Sequence, residues 1–411
     1  MSSRVAAFVA VALLALAAPA LAQASKATER ADRALDRALQ RVVDTDEGPP
    51  GVIAVIQRGG DRQVHTAGVA EVGERGAPRP RMHMRLASTS KAFSGATALA
   101  LVQKGKLSLD DTVGDLLPDL PSAWRRVTLQ EALQHTSGIP TFTAEESFLE
   151  AFSSDPLHGP ANQGKLLSYL GDAPLSFPSG SDYTYSNSDN IVVALMVEAA
   201  SGLSYRKALR KYVLKPLGLG QTSLPSGPAM PAPYMHGYDV PAKGAPDDVS
   251  EIFDPRWTGA SGGMVATPFN LNAFARGYVG GALFGKRVRK QQLELVRGGS
   301  EPPGPGQNRA GAGIFRYRTD CGTVFGHTGN IFGFTQLLAA TKNGRRSLTV
   351  SATEQLSPSE RKGVFKRLLA ADEKAVCAAL APAMDRRVGA TSIWALSARV
   401  VLPPGTSGWT M

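Results

Sequence analysis

Cysteine is scarce in this 411-residue chain. Only Cys321 and Cys377 are present, and neither has a partner at the short Cys-x-x-Cys spacing that structural zinc sites need. In an oxidising compartment such a pair most simply forms one disulfide, with two buried free thiols as the other reading. The bond would close a loop of about 56 residues, worth roughly 4 kcal/mol on a chain-entropy model. Charged residues are also somewhat sparse, at 19%, although the net charge is +10. The basic clusters, Lys286-Arg287-Val288-Arg289-Lys290 and Arg361-Lys362, are not interleaved with aromatics, which argues against a nucleic-acid platform. Internal repeats and heptads are missing. Beyond the N-terminus no apolar run is long enough to anchor the chain in a membrane.

The N-terminus does carry an apolar run. Arg4 precedes a small-residue-rich stretch from Val5 to Ala18, followed by Ala20-Leu21-Ala22. That is the charged, apolar, Ala-x-Ala order of a secretory leader, with cleavage expected after Ala22 or Ala24. The expectation is an exported protein without a stable membrane anchor, extracellular or held in the cell wall or periplasm.

Apolar positions Ala31, Ala34, Leu35, Ala38, Leu39 and Val42 have helical spacing over residues 26–43. Val52 to Ile56 and Val64 to Val72, separated by Gly59-Gly60, predict a hairpin. Residues 107–117 predict a short helix and loop, 128–134 a helix stopped by the Gly and Pro of His135-Thr136-Ser137-Gly138-Ile139-Pro140, and Ile191–Ala200 a strongly apolar helix. A mostly polar stretch lies before Pro178, and 224–256 reads as long loop. Further helices are expected at 268–281 and 290–296. Strands follow at Gly311–Arg318, Gly322–Phe325, Phe334–Ala340 and Ser347–Ala352, with a closing helix from Ser359 to about Ala379. Strands at both ends and helices between them predict a mixed α/β fold. One discontinuous α/β lobe (25–87 and 300–380) would hold an inserted helical lobe (88–299), after a leader (1–24) and before a tail (381–411) without periodicity.

Three short motifs carry chemistry. In Ser88-Thr89-Ser90-Lys91 a helical run places a hydroxyl and an amine one turn apart on one face, at a helix N-terminus whose field favours a negative oxygen. A serine needs a neighbouring group to take its proton before it becomes a nucleophile. Tyr185-Ser186-Asn187 and His327-Thr328-Gly329 follow in order. A competing pattern, Gly259-Ala260-Ser261-Gly262-Gly263 with Asp320 and His327 downstream, matches a nucleophile elbow. That elbow needs a strand before it, and Pro255 argues against one.

With these motifs, Leu107-Ser108-Leu109-Asp110-Asp111, His135-Thr136-Ser137-Gly138 and Pro178-Ser179-Gly180, the chain resembles the serine β-lactamases and penicillin-binding proteins over roughly residues 45–380. It is most similar to the branch with Tyr-x-Asn and His-x-Gly, which contains secreted D-alanyl-D-alanine carboxypeptidases. The resemblance implies an antiparallel sheet flanked by N- and C-terminal helices with an inserted helical lobe. It implies Ser88 as nucleophile, with Lys91 and Tyr185 sharing the proton work. Asn187 would hold Lys91 and the substrate amide, and His327 would supply charge when protonated. The backbone N–H groups of Ser88 and Asn330 would form the oxyanion hole, and Thr328, Gly329 and Trp257 would line the cleft, with plain core packing as the other reading of Trp257. His135 reads as structural. No metal or organic cofactor is implied, and the chain reads as a monomer.

A peptide ending in a carboxylate needs a fixed cation in its site. The strand before Cys321 places Phe315 where the carboxypeptidase type has an arginine; a one-residue bulge would restore Arg316, or Arg318 would substitute. The expected function is a secreted serine hydrolase of cell-wall stem peptides that also binds β-lactams. The alternatives are an esterase, amidase or β-lactamase on the same machinery, and a noncatalytic wall-binding module.

Overall fold

The computed structural model describes residues 2–382, with side chains from residue 23 onward. Residues 29–381 form one compact unit. The expected leader lies almost wholly on side chains outside the described residues, and the C-terminal tail lies outside them from residue 383. Among the described residues no helix is long and apolar enough to cross a membrane.

Seven strands form one sheet: β1 (Gly51–Arg58), β2 (Asp61–Gly68), β3 (Gln307–Gly311), β4 (Ile314–Thr319), β5 (Gly322–Ile331), β6 (Phe334–Ala340) and β7 (Arg346–Ala352). Their order is β2-β1-β7-β6-β5-β4-β3, every neighbouring pair antiparallel. The helices used below are α1 (Ser2–Val43), α2 (Ser90–Gln103), α3 (Leu129–Gln134), α4 (Asn187–Ser201), α5 (Pro268–Gly280) and α6 (Lys362–Leu380).

Burial follows the two-residue period of the strands. Val52, Ala54 and Ile56 of β1 enter a core with Leu35, Leu39 and Val42 of α1 and Phe365, Leu368 and Val376 of α6. Ile53 points the other way, into the larger core that includes Leu99 of α2 and Phe274 of α5. Because β1 is covered on both faces, its sequence is a continuous apolar run rather than an alternation. Every residue of α2 from Ser90 to Val102 is buried, as expected of a helix with small and apolar residues all round. Phe93 stacks on Phe274 with ring centroids 3.6 Å apart.

Several elements differ from the sequence expectation. Gly311–Arg318 is not one strand but the hairpin β3–β4, turning at Ala312-Gly313 with Gly313 at φ +65°. The strand expected to end at Phe325 continues to Ile331 and carries His327–Asn330 in its regular part. The helix expected at 290–296 lies at Lys286–Gln292, and Glu146–Ser154 is helical within the stretch read only as polar. Cys321, beside the β4–β5 turn, is disulfide-bonded to Cys377 of α6.

Candidate active site

A 3₁₀ turn, Ala87–Thr89, leads into α2 and presents Ser88 half-buried at a cleft of about 270 Å³. Ala87 sits at φ +52°, a left-handed conformation that costs an alanine about 1–2 kcal/mol and that the surrounding packing holds. One turn on, Lys91 is 1% exposed. Its Nζ donates to Ser88 Oγ at 3.1 Å, to Asn187 Oδ1 at 2.7 Å and to the Ser261 carbonyl at 2.9 Å. Burial draws the Lys91 ammonium down to about 7, against the opposing pull of Glu301 and Asp189.

Asn187 opens α4, where its backbone N–H donates to Thr141 Oγ1 and its side-chain NH₂ to Thr143 Oγ1. Its oxygen is thereby turned to Lys91. Two residues earlier, Tyr185 is buried, with its ring centroid 4.9 Å from Lys91 Nζ. Its hydroxyl makes no hydrogen bond of good geometry, and Ser88 is the neighbour whose hydroxyl acts on it. Burial outweighs that interaction and raises the phenol well above its usual range. Desolvation therefore keeps the proton on the phenol.

His135, at φ +58° where α3 ends, packs its ring 4.5 Å from that of Tyr185. Its Nδ1 accepts from the Ser186 N–H and faces Asp189 Oδ2 at 2.9 Å. Burial lowers His135 to about 3 and pushes Asp189 well above the carboxylate range. Both shifts favour the uncharged forms, and the His135 ring packs behind Tyr185.

Ser88, Tyr185, Asn187 and Asn330 all line the cleft. Lys91 lies buried behind Ser88, and the other five sequence candidates do not line the cleft either, each for a physical reason. His327, 1% exposed, packs against Phe315 with ring centroids 4.9 Å apart, and its Nδ1–H donates to the Thr328 carbonyl. Burial lowers it well below 6.5, so it supplies no cation. Thr328 turns its hydroxyl to the Pro302 carbonyl. Gly329 is needed by the protein itself: a Cβ there would stand 2.6 Å from Ser88 N and 2.8 Å from Thr89 N, so glycine lets β5 approach the nucleophile turn. Trp257 lies in an aromatic cluster with Phe148, Phe152 and Tyr169, its Nε1–H bonded to the Asp155 carbonyl. Arg316 stands opposite Phe325 and Arg309 in the sheet, and Phe315 packs against His327, His135 and Tyr185.

The elbow-like pattern also has a structural role. A 3₁₀ turn rather than a strand precedes it, and Ser261 Oγ donates to the Thr258 carbonyl while its own carbonyl receives Lys91. Sequence reasoning missed that carbonyl, Thr143, Gln355 and Glu301, the last three also lining the cleft. A backbone carbonyl leaves no residue-type signal, and Glu301 lies in a Pro/Gly-rich loop far from the three motifs.

The family model described as Beta-lactamase matches residues 31–373. The chain belongs to the beta-lactamase family. This is a family of serine hydrolases, and the mixed α/β architecture with its antiparallel sheet is the β-lactamase/transpeptidase-like fold. Among solved family structures, the D-stereospecific amidohydrolase from Streptomyces sp. is 28% identical, with a TM-score of 0.71 over 83% of this chain and 98% of its own. The D-amino acid amidase from Ochrobactrum anthropi, complexed with L-phenylalanine amide, is 21% identical with a TM-score of 0.72, covering 85% and 98%; it shares the fold. Penicillin-binding protein 4* of Bacillus subtilis is 28% identical over 210 residues, 49% of this chain and 45% of that protein. The protein flp of Staphylococcus aureus is covered over 39% of its length, so the chain spans less than half the length of these curated relatives.

Proposed function

We propose that this chain is a serine hydrolase that forms an acyl-enzyme at Ser88 and acts on small amides or esters. The observation that carries the reading is Lys91, whose amine lies 3.1 Å from Ser88 Oγ with its pKa drawn down to about 7 by burial. Near neutral pH much of that amine lacks its proton and can take the Ser88 hydrogen as Oγ attacks a carbonyl carbon. Asn187 Oδ1 and the Ser261 carbonyl then hold the ammonium formed. Tyr185 keeps its proton and hands it to the leaving nitrogen or oxygen, being replenished from Lys91. The backbone N–H groups of Ser88 and Asn330 receive the developing oxyanion. Water then attacks the ester carbonyl, with Lys91 again as base.

The test uses purified protein and a chromogenic acyl ester, with mass spectrometry of the trapped adduct. An adduct on the Ser88 peptide is expected, and Ser88→Ala should lower turnover by at least about a thousandfold. Unchanged turnover in Ser88→Ala, or a wild type that never acylates, would overturn the reading.

Likeness to a penicillin-binding protein favours a second reading, a D-alanyl-D-alanine carboxypeptidase that also binds β-lactams. None of the residues lining the cleft is basic, which weighs against recognition of a terminal carboxylate. The residue order from Arg4 to Ala22 supports export as part of the same proposal, and N-terminal sequencing of protein recovered outside the cytoplasm tests it.

A further inference from the structure

Of the residues that line the cleft, only Glu301 carries a formal charge, and it is acidic. Its segment is fixed from three sides. The Tyr183 hydroxyl donates to the Gly299 carbonyl, the Tyr317 hydroxyl to Ser300 Oγ at 2.9 Å, and the Thr328 hydroxyl to the Pro302 carbonyl. Glycine is required on both flanks. A Cβ on Gly298, at φ +144°, would meet the Tyr183 ring at 2.4 Å, and one on Gly304 would meet the Tyr317 ring at 2.2 Å. Tyr183 and Thr328 belong to the strips that carry the second and third motifs, so the parts that build the site also hold the shelf bearing Glu301.

A simpler role, counter-ion to Lys91, does not fit the bonds. An ammonium has three N–H donors, and those of Lys91 go to Ser88, Asn187 and Ser261. The carboxylate of Glu301 is exposed to the cleft, and its field reaches Lys91, Tyr183 and Tyr185. On the same cleft Phe332 is 40% exposed, with its ring stacked 6.0 Å from that of Phe152 and edge-on at 5.7 Å to Phe253. A fixed anion beside an apolar face matches a molecule carrying an ammonium group and an apolar side chain next to its scissile carbonyl.

We infer that Glu301 is the specificity residue of this cleft, receiving the free amino group of amino-acid or peptide amides and esters and turning away acyl donors with a carboxylate near the scissile bond. The inference rests on acylation at Ser88. The full chain is assayed with three anilides of phenylalanine sharing one leaving group, in both enantiomers: free amine, N-acetyl and N-succinyl. The wild type is expected to favour the free amine over the N-acetyl form by about tenfold, mainly through KM, the exposed setting keeping the effect modest. Glu301→Gln should remove that preference by raising KM for the free amine relative to KM for the N-acetyl form, and Glu301→Lys should shift preference toward the N-succinyl form. Cleavage of all three by the wild type without preference, or a preference that survives Glu301→Gln, overturns the inference alone, since Ser88 chemistry is then intact. A wild type inert toward all three anilides and toward a simple acyl ester overturns both.

Discussion

Lys91 ties burial to rate. Its folded-state pKa is lowered to about 7, so as pH falls through that value the amine gains a proton and can no longer accept one from Ser88. The pH profile of kcat/KM should therefore rise with an apparent pKa near 7 and stay high on the alkaline side, because Tyr185 is held well above 10 and does not titrate there. Measuring ester hydrolysis from about pH 5 to about pH 9 checks this, and a flat profile would remove Lys91 as the base. Lys91→Arg, which stays protonated, should cost about a hundredfold or more. Ser261→Ala is the opposite case. The hydroxyl bonds only to the Thr258 carbonyl, whereas the carbonyl that holds Lys91 is present in any residue. Activity should stay within about tenfold of the wild type, and a loss as deep as that of Ser88→Ala would revive the elbow reading. That Ser88, Lys91, Tyr185 and Asn187 meet was legible in the sequence, because the first pair sits one helical turn apart and the family resemblance joins the Tyr185-Ser186-Asn187 motif to it. The neutral state of His327 was not, since the histidine is visible in the sequence but its desolvation is set by Phe315 and the sheet around it.

At the scale of elements, the site depends on how closely α2 meets the sheet. Gly95 faces the tip of the β3–β4 hairpin, and a Cβ there would lie 2.9 Å from Gly313 Cα and 3.1 Å from the Tyr278 hydroxyl. Alanine is the better helix former by about 1 kcal/mol, yet the contact is with backbone that has little room to move. Overpacking should win, so Gly95→Ala is expected to destabilise by about 1–3 kcal/mol in thermal or urea unfolding. Gly329→Ala brings the same clash to the nucleophile turn. It should lower the acylation rate by about a hundredfold, since a misplacement of about 1 Å suffices for that, and a burst measurement reads it directly. Long apolar elements such as β1, α2 and α4 were readable from pattern alone, because two-sided burial demands unbroken apolar runs. The edge strand β3, Gln-Asn-Arg-Ala-Gly, was not, because it carries little apolar alternation and meets only a single bridge, Ala310 to Val296, on its outer side. Its absence made the hairpin look like one strand.

For the compact unit as a whole, the sheet joins chain segments more than two hundred residues apart, β1 lying beside β7. The helices on its first core come from the two ends of that unit, so their docking is where long-range closure matters most. The Cys321–Cys377 bond fastens α6 to the β4–β5 turn across 56 residues. On the chain-entropy account, closing a loop of that length removes about 4 kcal/mol of freedom from the unfolded chain, within a usual range of about 2–5. Cys321 is exposed, so a mild reductant should reach the bond without prior unfolding. Reduction, or Cys321→Ser with Cys377→Ser, is expected to lower the melting temperature by on the order of 10 °C. The geometry at Ser88 is held by α2, α4 and β5 rather than by α6, so ester turnover at 25 °C should change by less than about threefold while the folded state persists. Scanning calorimetry beside an activity assay on the same samples separates the two effects. A melting temperature that does not move on reduction would mean that packing of Phe365, Leu368 and Val376 already closes this part of the core unaided.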